Sequence, residues 1–391
     1  MKRISLLGAT GSIGQSTFKV VDSFPDQFKI VFLAAGCSWQ AMADLARTYL
    51  PKAVALTDET HSDSLREAIK DLPILVYSGE AGLLQGIQDI EADITISAIV
   101  GAAGLRPTMK AIEAGSDIAL ANKESMVVAG SFMNDAAQKY GVSILPVDSE
   151  HNAIHQCLRG GLKKEVRRII LTASGGPFRV FTGDMASITP EQALKHPTWK
   201  MGPKISIDSA TMMNKGLEVI EAFHLFHCSK DEIEIVVHPQ SVVHSMVEYT
   251  DGSILAQLGK TDMCHPVQYA LTYPDRWESP FEFLDFSKGF ALGFEPVNHQ
   301  RFPCINLAYE ALEKPDSLPC VLNAANEIAV SAFLNGKIKF TDIPLIASDC
   351  MNFFKEFDVQ GFEELLQLDL DVRCHAESVI DQIHALSSSS E

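Results

Sequence analysis

Ile4-Ser5-Leu6-Leu7-Gly8-Ala9-Thr10-Gly11-Ser12-Ile13-Gly14 joins a short apolar run, three glycines spaced GxxGxxG and the start of a helical pattern. An apolar run of this length reads as a strand. Glycines after it permit a tight turn and let backbone N–H groups approach a pyrophosphate, which then sits at the positive end of a helix. The spacing is a variant of the usual dinucleotide fingerprint, and alone it is a weak signal, because many strand-to-helix turns need glycine. Its position at the head of a βαβ pattern gives it weight.

Working outward, strands are expected at 4–8, 29–34, 53–57, 94–98, 117–120 and 143–146, with helical spacing at 40–49 and 63–70 between them. This alternation predicts an α/β fold in which residues 1–147 form a Rossmann-like parallel sheet that binds a dinucleotide. From Asp148 the character changes. Longer strands are expected at 166–172, 233–238, 242–249 and 253–258, the last two flanking the turn Thr250-Asp251-Gly252, so residues 148–275 read as a central α+β domain. Residues 276–300, rich in proline and aromatics, read as a linker. Residues 301–391 carry helical periodicity at 304–313, 321–335, 340–357 and 362–386 and read as a C-terminal helical domain, with 387–390 frayed.

The 391 residues carry 32 Lys plus Arg against 50 Asp plus Glu, a formal charge of −18. Such a surface repels phosphate backbones and anionic lipid, which excludes nucleic acid and membrane as principal partners. An anionic substrate must then be met by a local cluster of donors. The start Met1-Lys2-Arg3 runs into an apolar stretch too short for a signal peptide, no window is long enough to span a bilayer, and the eight cysteines show no CxxC pair. A cytoplasmic protein with reduced thiols is expected.

Asp148-Ser149-Glu150 follows a strand, where open α/β sheets place ligands, and its two carboxylates suit Mg²⁺ or Mn²⁺ better than zinc. By itself the triplet reads first as an acidic helix cap, with Asp148 or Ser149 capping a helix that begins near Asn152. Ser174-Gly175-Gly176 follows another strand and exposes N–H groups and a hydroxyl to an anion. Ser209, Asn214 and Lys215 supply a hydroxyl, an amide and a charge suited to a terminal phosphate, although Lys215 and Glu218 equally form an i,i+3 ion pair. The run 195–203, bracketed by proline and glycine around Trp199, suits a mobile lid. His151 and His155 stand at i,i+4 like a zinc pair, but the surrounding carboxylates favour harder ions. The second strand ends at Gly36-Cys37-Ser38 without the acid that would bind a ribose 2′-hydroxyl, which favours NADP over NAD.

The segments Gly8–Gly14, Gly101–Leu105, Ala121–Ser125, Pro146–Ile154, His196–Gly202, Ser206–Glu218, His238–Ser245 and Asn323–Glu327 together resemble the 1-deoxy-D-xylulose 5-phosphate reductoisomerase family from residue 4 to about 345. The resemblance implies NADPH and one Mn²⁺ or Mg²⁺ as cofactors, a small phosphorylated ketose as substrate, and a homodimer built through the central domain 148–275, which it makes the catalytic and dimerisation domain. It implies that Thr10, Gly11, Ser12, Ile13, Asn122, Glu124 and Gly202 meet the cofactor. Gly36 and Ser38 stand as further cofactor candidates at its 2′-phosphate end. Asp148, Glu150 and Glu218 correspond to the metal ligands. Lys123, Ser149, Ser174, His196, Ser209, Asn214 and Lys215 correspond to substrate contacts, Trp199 and Met201 to the closing loop, and His151 and His244 to histidines beside the catalytic centre.

The implied reaction isomerises the ketose phosphate and reduces the product with NADPH to 2-C-methyl-D-erythritol 4-phosphate, with Lys123 assisting proton movement or charge stabilisation. One departure stands out: family members often carry a basic residue and Asn where this chain has Cys37-Ser38. The alternatives are a metal-free semialdehyde or homoserine-type NADP dehydrogenase and a non-catalytic dinucleotide sensor.

Overall fold

A computed structural model describes residues 1–196, 199 and 201–388 of the chain, which divide into two compact units. The first comprises Met1–Ser125, Phe132–Asn152 and Asp262–Phe283; the second comprises Met126–Ser131, Ala153–Thr261 and the chain from Leu284 onward.

The first unit is built on β1 (Lys2–Leu7), β2 (Phe28–Ala35), β3 (Ala53–Leu56), β4 (Leu75–Ser78), β5 (Ile94–Ser97), β6 (Asp117–Leu120) and β7 (Ile144–Pro146). All are parallel, in the order β4-β3-β2-β1-β5-β6-β7. Strand β4, not expected from the sequence, is a four-residue edge strand with no fully buried side chain, so it leaves little apolar pattern. Parallel sheets are covered on both faces, and accordingly Ile4, Leu6 and Leu7 of β1 are all fully buried.

The stretch read as one domain over 148–275 is shared between the units. Residues 262–275 belong to the first because Cys264, Val267, Ala270 and Leu271, on the helix Cys264–Thr272, join the same core as Ile4, Leu33 and Ile96. Trp277, in the stretch read as a linker, stacks on Phe28 at 5.5 Å between ring centroids.

Strand order reverses between β1 and β5, which defines the crevice where doubly wound sheets bind ligands. The three glycines there do different work. Gly8 has φ +92°, and a Cβ on it would lie 2.4 Å from the Ala98 carbonyl oxygen just past β5. Gly14 lets the helix Ser12–Ser23 settle on the turn, since its Cβ would lie 2.1 Å from the Ala9 oxygen. Gly11 has φ −83°, and its Cβ would meet nothing nearer than 3.4 Å, so neither conformation nor packing demands glycine there. A bare backbone at Gly11 serves close approach from outside.

The second unit holds β8 (Val166–Ala173), β9 (Ile233–Val237), β10 (Val243–Tyr249), β11 (Ile254–Leu258) and β12 (Glu295–Pro296), ordered β11-β10-β8-β9-β12. The expected hairpin joins β10 and β11, but β8 and β9 run parallel, which makes the sheet mixed. The helices Cys304–Ala311, Leu318–Leu334, Asp342–Phe353 and Phe362–Ser388 form the expected helical region. Ser389 and Ser390 of the tail read as frayed lie outside the described residues. Among the described residues no helix is long and apolar enough to cross a membrane.

Gly8→Ala should lower the unfolding free energy by about 2–3 kcal/mol, because it combines a left-handed backbone with a backbone clash. Gly36→Ala, whose Cβ would meet nothing within 4 Å, should change it by less than about 0.5 kcal/mol. Urea unfolding of both variants checks the contrast.

Candidate active site

In the first unit the register of the sheet assembles the first cluster. Leu120 of β6 is opposite Pro146 of β7, so the chain leaves both strands at the same edge. Lys123 then opens the helix Lys123–Tyr140, and Asp148 directly precedes the helix Ser149–Cys157. Their side chains form an ion pair, with Lys123 only 5 % exposed. An ammonium at the positive end of a helix is unfavourable, and the Asp148 carboxylate offsets it.

Asp148 also approaches His151 Nδ1 at 3.9 Å and has a carboxylate oxygen within 4.8 Å of one from Glu150. The hard oxygens of these two carboxylates fit a Mg²⁺-type ion. Ser149 does not cap the helix through its side chain; its hydroxyl donates to Glu150 at 2.5 Å.

Asn122 is a strut. Its Oδ1 accepts from the Ser125 N–H at 2.7 Å and from the Ser125 hydroxyl, while Nδ2 donates to Gly101 O at 2.9 Å and to Ile99 O. The side chain thus fixes the loop after β5 beside the glycine turn. Thr10, Ser12 and Ile13 line that turn, and no side chain caps the helix at Gly11, which leaves first-turn N–H groups for a ligand. Glu124 lies in the first turn of the helix that Lys123 opens; Gly36 and Ser38 follow β2, and Ser38 caps the helix Trp39–Tyr49 without a side-chain bond.

In the second unit Gly175 (φ +84°) and Gly176 (φ +65°) turn the chain after β8. A Cβ on Gly176 would lie 2.5 Å from the Ser209 carbonyl oxygen, so glycine lets the Ser174 turn rest on the Ser209 backbone. Ser174 Oγ is 3.1 Å from His196 Nε2, and His196 Nδ1 accepts the Trp199 N–H at 2.9 Å. That second bond fixes the neutral tautomer: Nδ1 is bare, and Nε2–H donates to Ser174. Burial pushes the His196 pKa below its ordinary value. Met201 is half-buried, and Gly202 caps the helix Pro203–Ala210, but Pro197, Thr198 and Lys200 of the expected lid lie outside the described residues.

Met212, at φ +62°, makes the corner between that helix and Met213–Phe226, and so turns Ser209 and the pair Asn214-Lys215 around one bend. Glu218 is fully buried; it accepts from Asn214 Nδ2 at 2.6 Å and from Lys215 Nζ at 2.5 Å. The i,i+3 ion pair weighed from sequence therefore exists, as a desolvated one. His244 on β10 is buried, and a Cβ on Gly259 would lie 3.3 Å from its Nε2.

Two supporting residues carried no local signal. Asp208, beside Ser209, is buried and held by Asn326 Nδ2 at 2.7 Å and Lys204 Nζ at 2.9 Å, which explains the Asn323–Glu327 motif as a brace. His238 Nε2 accepts the N–H groups of Val242 and Val243, so its Nδ1–H donates to Gly293 O at 2.8 Å. It pins the turn leading into β10.

A Rossmann-type sheet with a ligand-ready glycine turn, together with buried acidic and basic side chains at strand and helix ends, defines the class: a dinucleotide-dependent enzyme. Family profiles described as 1-deoxy-D-xylulose 5-phosphate reductoisomerase, its C-terminal domain, and DXP reductoisomerase C-terminal domain match residues 4–130, 144–226 and 258–375. A relative of that name from Chloroherpeton thalassium is 47% identical over 387 residues, 99% of this chain and 100% of its own length. The Zymomonas mobilis reductoisomerase, solved in complex with NADPH, is 45% identical, with a TM-score of 0.90 over 97% of this chain and 99% of its own. A DOX-P reductoisomerase solved with NADPH, fosmidomycin and magnesium is 40% identical, with a TM-score of 0.92 over 98% of this chain and 99% of its own. The chain belongs to the 1-deoxy-D-xylulose 5-phosphate reductoisomerase family.

His196 should titrate below pH 6.5 and show a protonated Nε2 with a bare Nδ1 at neutral pH. Nitrogen-15 NMR of the ring checks this, and a protonated Nδ1 at pH 7 would contradict it. Lys215→Met should destabilise the metal-free protein by about 3–5 kcal/mol, because it strips the charged partner from a buried carboxylate. Urea unfolding in EDTA measures the loss.

Proposed function

We propose that this chain isomerises and reduces 1-deoxy-D-xylulose 5-phosphate to 2-C-methyl-D-erythritol 4-phosphate with NADPH and one divalent metal ion, a step towards isoprenoid precursors. The observation that carries this is whole-length identity to reductoisomerases, one of which is solved with both NADPH and magnesium. When bound, the metal supplies Lewis-acid polarisation of the substrate's carbonyl, and NADPH supplies the hydride.

Asp148, Glu150 and Glu218 are the ligands we assign to the metal. Their donor set is all carboxylate, and Asp148 and Glu218 are each already oriented by a lysine. The nicotinamide dinucleotide takes the glycine turn Thr10–Ile13, with Glu124 and Gly202 as further contacts and Asn122 as the strut behind them. Ser174, His196, Ser209, Asn214 and Lys215 bind the substrate phosphate. His196 gives it a neutral Nε2–H, and Lys215, which also donates to Glu218, gives it charge. Lys123, positioned by Asp148, holds or moves a proton at the reacting oxygens; Ser149, His151 and His244 complete the surroundings, and Trp199 and Met201 close over the substrate.

The metal-free dehydrogenase reading is not favoured, since it leaves the carboxylates of Asp148, Glu150 and Glu218 without a task. We also assign a homodimer in the cytoplasm. Ile254 and Leu255 are 51 and 40 % exposed on the edge strand β11, and Phe286, Phe290 and Phe294 add exposed apolar surface, which supports a covering copy. Eight free thiols suit a reducing compartment.

NADPH oxidation should depend on 1-deoxy-D-xylulose 5-phosphate, vanish in EDTA and return with Mn²⁺ or Mg²⁺. Glu150→Gln should cost about 100-fold or more in kcat/KM, of the order of 3 kcal/mol. Lys123→Ala should lower kcat by more than about tenfold, roughly 1.4 kcal/mol of barrier. NADPH should remain preferred despite Cys37-Ser38; equal kcat/KM with NADH would refute that preference.

A further inference from the structure

The second unit contains a cavity of about 480 Å³ that none of these assignments uses. Its lining is mainly apolar, with Cys304, Leu307 and Phe340 among the walls together with Thr211. Thr211 directly precedes Met212, so one lining residue adjoins the left-handed corner before Asn214 and Lys215. The volume falls in the range of small-molecule sites, roughly 300–1,000 Å³.

One charged side chain lines it. Arg301 donates from Nη1 to the carbonyl oxygens of Phe178 (3.4 Å) and Arg179 (2.9 Å), and from Nη2 to that of Phe181. Carbonyls orient a guanidinium without neutralising it, and among the described residues no carboxylate pairs with it. In a chain of net charge −18, an uncompensated cation on a residue that lines an apolar cavity is a selective feature. Of its five N–H groups, Nε–H and one on Nη2 are not used by these carbonyls. An apolar space beside such a donor fits one class of molecule: an aliphatic body carrying a single anionic head.

We propose that this cavity is a binding site for a small anionic amphiphile, its chain against Leu307 and Phe340 and its carboxylate or phosphate head on Arg301. Binding here does not rest on the catalytic assignment, since the cavity shares no residue with the proposed catalytic machinery.

Titration calorimetry of the full chain with octanoate and with octyl phosphate, using octanol as the neutral control, tests the site. At least one anion should bind once per chain with Kd below about 1 mM, tenfold or more tighter than octanol, and should raise the melting temperature. The tighter anion identifies the head group. Arg301→Gln should weaken anion binding about tenfold, the size of one charge-assisted hydrogen bond. Leu307→Trp, or Ser348→Trp should Leu307→Trp fail to fold, should abolish it by filling the space. Absence of saturable anion binding, equal affinity for octanol, or undiminished binding in a folded filling variant would overturn the proposal.

Discussion

Where the chain leaves β1, the missing Cβ of Gly8 sets how close two strand ends can come. A single extra carbon there would sit 2.4 Å from the Ala98 oxygen, well inside any tolerated contact. Because that carbon is absent, the ends of β1 and β5 converge, the crevice at the reversal of strand order is narrow, and the loop after β5 lies where Asn122 can brace it. Lys123 follows Asn122 directly, so its placement inherits this constraint.

Buried charge is handled in the same way in both units. Lys123 with Asp148, and Lys215 with Glu218, are pairs in which each partner makes the other tolerable away from water. Such pairs add little net stability compared with apolar replacements, whereas breaking one is costly. A carboxylate whose orientation is fixed beforehand loses little freedom when a cation arrives. His196 follows related logic, being a donor held neutral by its surroundings.

The parallel sheet, the glycine turn and the β10–β11 hairpin were legible in the sequence because each has a local period or a turn signature. The acidic and basic residues on which the proposed site rests drew notice because they cluster in long segments near strand ends. Other features depend on distant partners. Residues 262–275 look like the end of a central domain until the helix they form is seen packed in the first core. Strand β4 is too short and exposed to show alternation, and the parallel pairing of β8 with β9 joins strands about sixty residues apart. Asn122 read as a cofactor contact because its segment matched; the bridge its side chain makes between Ser125 and the loop at Ile99 and Gly101 left no mark in the sequence.

The Asn326–Asp208 bond spans 118 positions of sequence. At ribosomal speeds of about 5–20 residues per second, Asp208 emerges roughly 6–24 s before the amide that braces it. During that interval the nascent bend lacks the amide that holds Asp208, an aspartate destined for burial. Completion of this bend is therefore a late event in biosynthesis, and a chain truncated before the helix Leu318–Leu334 would expose an unfinished pocket to chaperones and proteases.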